Sequence, residues 1–120
     1  MEVHGAFENG MPFVSVRVAG MEFRAVMDTG FDGFVMLSHA EIRKLNLLEM
    51  GKSVYQTADG ELHEAKVYRG RIEWLGITTD VAVDSTNGDF ALIGMKLLQS
   101  LRLVMEPSQR MLILSTAALH

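Results

Sequence analysis

Ala25-Val26-Met27-Asp28-Thr29-Gly30-Phe31-Asp32-Gly33 is the stretch on which the reading of this chain turns. Three apolar residues run straight into a carboxylate, and glycines follow at Gly30 and Gly33. A carboxylate at the end of an apolar strand is costly to desolvate unless donors or a function hold it there. The Thr29 hydroxyl can donate or accept a hydrogen bond that holds the loop, and Gly30 permits close backbone approach and positive φ. Taken alone, the tripeptide Asp-Thr-Gly also fits an ordinary β-turn, because Asp and Gly favour turns everywhere. Its surroundings decide between the two.

Upstream, Pro12 to Val18 alternates, with Phe13, Ser15 and Arg17 on one side and Val14, Val16 and Val18 on the other. Ala19-Gly20 makes a tight turn and Met21 to Met27 returns, which predicts a hairpin. Downstream, Phe34-Val35-Met36-Leu37 is a short apolar run. Ser38 with Glu41 three residues later is a capping box that opens a helix. Ile42, Leu45 and Leu48 continue it at helical spacing, and Asn46 or Gly51 closes it. Ser53 to Thr57 and Leu62 to Trp74 read as strands joined at Ala58-Asp59-Gly60, where Asp-Gly is a strong hairpin signal. Ile77 to Val83 is another strand, turned at Asn87-Gly88. Phe90-Ala91-Leu92-Ile93 reads as a buried run ended by Gly94. Met95 to Leu101 suits a short helix, and Leu103 to Met105 and Met111 to Leu114 suit strands around Pro107-Ser108. The last strand is apolar and would be an aggregation-prone edge if left uncovered. The fold class is therefore mostly β, with one or two short helices.

An internal repeat runs through this pattern. An offset of 56 maps Gly20 onto Gly76, Asp28 onto Asp84, Phe34 onto Phe90 and Met36 onto Leu92 without a gap. It also maps Leu37 onto Ile93, Ile42 onto Leu98, Leu45 onto Leu101 and Leu47 onto Leu103. Each half reads as strand, Asp-bearing loop, apolar strand, helix. Such a repeat implies two similar half-units packed about a pseudo-twofold.

With these pieces in order, the chain resembles the retropepsin-like aspartic proteases. The matching segments are residues 25–33, the later Ala91-Leu92-Ile93-Gly94-Met95-Lys96-Leu97-Leu98, and the hairpin Tyr55-Gln56-Thr57-Ala58-Asp59-Gly60 between them. In that family two apolar residues before a Gly, followed by a short helix, lie beneath the catalytic loop, and the intervening hairpin is a flap over the substrate. The resemblance spans roughly residues 11 to 115. It implies a closed acid-protease barrel with a flap hairpin and Asp28 as catalytic carboxylate. Thr29 and Gly30 become active-site loop residues, and Ile93 and Gly94 support them. Asp32, Ala58, Asp59 and Gly60 become substrate-binding residues, although Asp32 reads equally as a solvated turn. No metal or other cofactor is implied.

The family's chemistry needs two close carboxylates, which cannot both ionise and so share a proton. One takes a proton from the attacking water while the other donates to the peptide carbonyl. A single Asp-Thr-Gly implies a homodimer with one Asp28 from each subunit. Asp84, matched to Asp28 by the repeat, is the rival second carboxylate within one chain. Asp84-Ser85-Thr86-Asn87-Gly88 has two extra residues before its Gly. The sequence also departs from retroviral members. Phe31 replaces an Ala, Lys96 stands where they have Asn or Asp, and Met95 where they have a dimer-bracing Arg. The other function considered is a non-enzymatic peptide-binding or scaffold module on the same fold.

Bulk composition agrees with this frame. The 120 residues suit one domain, residues 1–120, with 48% hydrophobic and 22% charged residues. The net charge of −4, without a basic stripe, argues against nucleic acid as a partner. The absence of Cys rules out disulfides and thiolate chemistry and fits a cytoplasmic setting. No apolar run reaches membrane-span length. His4, His39, His63 and His120 are scattered without metal-ligand spacing. The nine Met residues fall mostly at apolar strand or helix positions. Tyr55 either faces the cleft or packs across strands. The expected partners are a peptide or protein substrate, with apolar side chains beside the scissile bond, and a second copy.

Overall fold

The strands follow from alternation and the turns from left-handed residues. Their order is β1 (Glu2–His4), β2 (Ala6–Glu8), β3 (Met11–Val18), β4 (Met21–Met27), β5 (Val35–Ser38) and α1 (His39–Arg43). Then come β6 (Leu48–Gln56), β7 (Leu62–Trp74), β8 (Ile77–Thr86), β9 (Ala91–Ile93), α2 (Met95–Leu98), β10 (Leu101–Glu106) and β11 (Met111–Thr116). The structure, a computed structural model, describes residues 1–56 and 58–116, without the side chain of Tyr55. The sequence readings at the Tyr55 side chain, Thr57 and His120 lie outside the described residues.

The main sheet has the order β2-β3-β4-β9-β5-β8-β7-β6, and a further pairing of β3 with β7 closes β3-β4-β9-β5-β8-β7 into a barrel. Arg17 pairs with Glu73 and Val18 with Ile72 at that seam, and the Arg17 Nε to Glu73 distance is 3.2 Å. The core holds Val16, Val18, Leu37, Ile72, Val83 and Ile93, all of them buried. A second sheet, β1-β11-β10, covers one side of it through Leu112 and Leu114. The apolar last strand is thus paired on both sides within its own chain. No helix among the described residues is long and apolar enough to cross a membrane.

The repeat is visible in the backbone. Ala19 and Gly20 have φ of 50° and 82°, and Leu75 and Gly76 have 49° and 80°. These paired left-handed residues make the two-residue turns between β3 and β4 and between β7 and β8. Val18 faces Met21 as Trp74 faces Ile77, so the offset of 56 holds through both hairpins. The third strand of each half inserts into the other: β9 lies between β4 and β5, and β5 between β9 and β8.

Several boundaries move. Ser38 caps α1 through its side chain, with Glu41 reaching back to the Ser38 N–H at 2.9 Å. That helix ends at Arg43, and Asn46, at φ 53°, reverses the chain. Leu48 therefore starts β6 and is 68% exposed, and Gly51 sits in a bulge of β6 instead of closing the helix. Similarly, α2 stops at Leu98 and Leu101 opens β10. Phe90 is 47% exposed, outside the buried run that follows it. Replacing Ser38 by Ala removes one N–H acceptor of a very short helix. The expected loss is ~1 kcal/mol in urea unfolding, with the slope unchanged. A loss below a few tenths of that would mean the cap is not holding α1.

Candidate active site

The loop after β4 is fixed by backbone hydrogen bonds to the start of α2. The Asp28 N–H donates to the Ile93 carbonyl at 2.9 Å, as an extension of the parallel β4–β9 pairing. The Gly94 N–H donates to the Phe34 carbonyl (3.0 Å), Met95 N–H to Phe31 (2.8 Å) and Lys96 N–H to Gly33 (3.1 Å). Three N–H groups at the start of a short helix, which would otherwise be unpaired, are thus used to hold one loop. Within the loop, the Gly30 N–H donates to Asp28 Oδ1 at 2.9 Å. Asp28 is half-buried, while Thr29 and Gly30 beside it are exposed. Among the described residues the loop is braced by the Gly30 N–H and by the N–H groups at the start of α2, and no side-chain hydrogen bond of Thr29 is seen.

Close approach explains the glycines. A Cβ on Gly94 would lie 2.6 Å from the Phe31 carbonyl oxygen and also against that of Gly33. One on Gly33 would lie 2.5 Å from the Phe31 ring and 2.9 Å from Asp84 Oδ2. Phe31 is therefore folded back over its own loop, occupying the space that both glycines leave.

Beside the loop is an open cavity of about 550 Å³. Gly30, Phe31, Asp32 and Gly33 form one wall, and Ser53, Val54 and Gln56 of β6 with Ala65 of β7 form the other. Met36, Asp84, Ser85 and Lys96 also line it. Asp32 thus lies in the same cleft as the Asp28 loop. Ala58, Asp59 and Gly60 form the exposed tip of the β6–β7 hairpin and are not among the lining residues. Gln56 Nε2 donates to the Gly60 carbonyl and the Glu61 N–H to Asp59 Oδ1, which tightens that tip. Among the described residues no group of three or more His, Asp or Glu side chains could hold a metal ion.

Asp84 is the cleft residue that sequence reading placed elsewhere. It lies inside β8, paired with Met36 and Val67, and half-buried. Burial pushes its carboxyl above the ordinary value of 3.8, and Lys96 partly opposes this. The folded chain therefore holds this proton more tightly than the unfolded one. Stability contributed by Asp84 is present at low pH and is lost as pH rises above ~4, through the raised value. Asp84→Asn is expected to raise Tm at neutral pH, because the amide carries no charge to desolvate. That gain shrinks to nothing below the ordinary carboxyl range, and calorimetry showing an equal gain at every pH would contradict the assignment.

The counterpart of Asp28, judged by strand neighbours, is Thr86. Met27 pairs with Ile93, and the equivalent pair in the other half is Ser85 with Leu37. The Gly88 N–H donates to Thr86 Oγ1 at 3.0 Å, matching Gly30 to Asp28. The two extra residues before Gly88 have slid β8 by two positions, which leaves Asp84 within the strand. Moreover, β4 runs parallel to β9, β9 antiparallel to β5, and β5 parallel to β8. The loops after β4 and β8 consequently leave opposite ends of the sheet.

A closed barrel of two interlocked halves, with an acidic loop seated on a short helix, is the retropepsin-like aspartic-protease fold. The chain superposes on a retropepsin-like aspartic protease from Rickettsia conorii with a TM-score of 0.72 and 22% identity, covering 95% of this chain and 89% of that one. It also matches the EIAV protease complexed with the inhibitor HBY-793 (TM-score 0.66, 17% identity, 76% and 88% covered). The simian foamy virus protease gives 0.56 and 15%, with 72% and 91% covered. At these identities the likeness defines the fold. No protein-family model and no curated protein sequence matches the chain.

Proposed function

We propose that the chain is an aspartic endopeptidase acting as a homodimer, in which Asp28 of each subunit supplies half of a shared-proton dyad. What carries this reading is the Asp28 loop, a half-buried carboxylate on a braced turn, next to a cleft and open on one side. Two carboxylates about 3 Å apart cannot both ionise. The ionised one takes a proton from water as the water attacks the peptide carbonyl, and the protonated one donates to the carbonyl oxygen. Within one chain the position that matches Asp28 is held by Thr86, and Asp84 lies inside β8, not on a glycine-capped loop. A twofold-related copy is therefore the better source of the second Asp. The sheet β1-β11-β10 has open outer edges, and β10 exposes Leu103 and Met105. A second copy would cover such an edge. The β6–β7 hairpin, with Ala58, Asp59 and Gly60 at its tip, would close over an extended peptide bound as an added strand. A cytoplasmic setting suits the cysteine-free chain.

Cleavage of a diverse peptide mixture from about pH 3 to about pH 8 tests this, with Asp28→Asn and Asp84→Asn beside the wild type. Products from the wild type and from Asp84→Asn, and none from Asp28→Asn, are expected. Wild-type protein that is dimeric and folded yet cleaves nothing would sink the protease reading and leave a peptide-binding module on this fold.

A further inference from the structure

Resting on the reading of this cleft as a peptide site, we infer that Asp84 and Asp32 make one of its subsites selective for a basic side chain, lysine or arginine. The Asp84 carboxylate reaches the loop that carries Asp28, since a Cβ on Gly33 would come within 2.9 Å of its Oδ2. The subsite therefore adjoins the reacting centre. Among the described residues no hydrogen bond or ion pair holds this carboxylate. Ser85, its neighbour on the lining, donates its hydroxyl to the Lys66 carbonyl at 2.7 Å and is already occupied.

An acid on the wall of a cavity with no hydrogen-bond donor is open to one, and burial raises its proton affinity, with the Lys96 charge partly opposing. A cationic side chain supplies that donor, and a charge-assisted hydrogen bond is about twice as strong as a neutral one. The lining suits the rest of such a side chain. Met36, Val54, Ala65 and the Phe31 ring offer apolar surface to a methylene stem, and Asp84 and Asp32 meet its head. Lys96 is the one cation on this lining among the described residues, and its ammonium lies 5.4 Å from the centre of the Phe34 ring. Two carboxylates against one ammonium leave the cleft anionic. An apolar side chain would leave Asp84 unpaired, and an acidic one would be repelled.

The test uses Asp28→Asn protein, which binds peptide without consuming it, and octapeptides of one apolar sequence. Each position in turn carries lysine, norleucine or glutamate, and affinity is read by calorimetry at near-neutral pH. At one position lysine is expected to bind about tenfold tighter than norleucine, with glutamate weakest. Adding Asp84→Asn should collapse that ratio towards one, and adding Asp84→Lys should invert it in favour of glutamate. Circular dichroism confirms that each variant is folded, and Asp84→Asn, nearly the same size, serves if Asp84→Lys does not fold. No preference for lysine anywhere, no binding at all, or a preference that survives Asp84→Asn overturns the inference. Lysine selectivity in binding with a wild type that cleaves nothing would remove the protease reading and keep the subsite. Cleavage without basic preference would do the reverse.

Discussion

Gly94→Ala should lower stability by about 3 kcal/mol and Tm by roughly 15 °C, whereas Gly88→Ala should cost under ~1 kcal/mol. The added methyl on Gly94 meets two main-chain oxygens, those of Phe31 and Gly33, and neither is the end of a flexible side chain. Each of those oxygens accepts a hydrogen bond from α2, from Met95 and Lys96 respectively. Moving them aside breaks both bonds and unseats the loop that carries Asp28. At Gly88 the nearest atom to an added Cβ is Thr86 Oγ1 at 3.4 Å, an ordinary contact. Thermal unfolding of the two variants side by side checks this. Equal Tm values would mean the Asp28 loop does not depend on its seat.

The other large effect concerns activity. Asp28→Asn is expected to reduce kcat by about a thousandfold or more, because an amide cannot take the proton of the attacking water. A dimer with one wild-type and one altered subunit should be as inactive as the doubly altered one, since a lone carboxylate cannot hold both roles. Equal co-expression then leaves about one quarter of the wild-type activity, the share of dimers with two intact subunits. A single-chain dyad would leave about one half. Differently tagged subunits, purified as pure and mixed dimers, separate the two cases.

How much of this was legible beforehand depended on the kind of signal. The turns at Ala19-Gly20 and Asp59-Gly60, and the Ser38–Glu41 cap, are local chemistry, and local chemistry can be read from neighbours alone. The Asp28 loop and its Gly94 support were legible only together, as two distant segments in order. Apolar spacing held at Leu45, which packs against the core from the turn after α1, and misled at Leu48, where the periodicity runs by chance into the exposed start of β6. β1 and β2 are three residues each and gave no alternation to read; their pairing partners lie on β11 and β3. Asp84 was misplaced because a gapless offset counts residues, whereas strand register obeys hydrogen bonding. The slide that puts Thr86 opposite Asp28 is a property of neighbouring strands.

Under the proposed function, the seating of residues 28–34 on residues 93–96 also sets when the chain becomes capable of chemistry. During synthesis the Asp28 segment leaves the ribosome early, but the carbonyl that holds Asp28 and the helix that holds its loop are made much later. β1 must wait longer still, for β11. A ribosome-bound chain that stops short of β9 would carry its acidic loop without the scaffold that shapes it. Such a fragment could neither offer a formed half-site to a neighbour nor attack the chains emerging beside it. On that reading the order of the strands works as a timer: a formed Asp28 loop arrives only when translation of the barrel is all but finished.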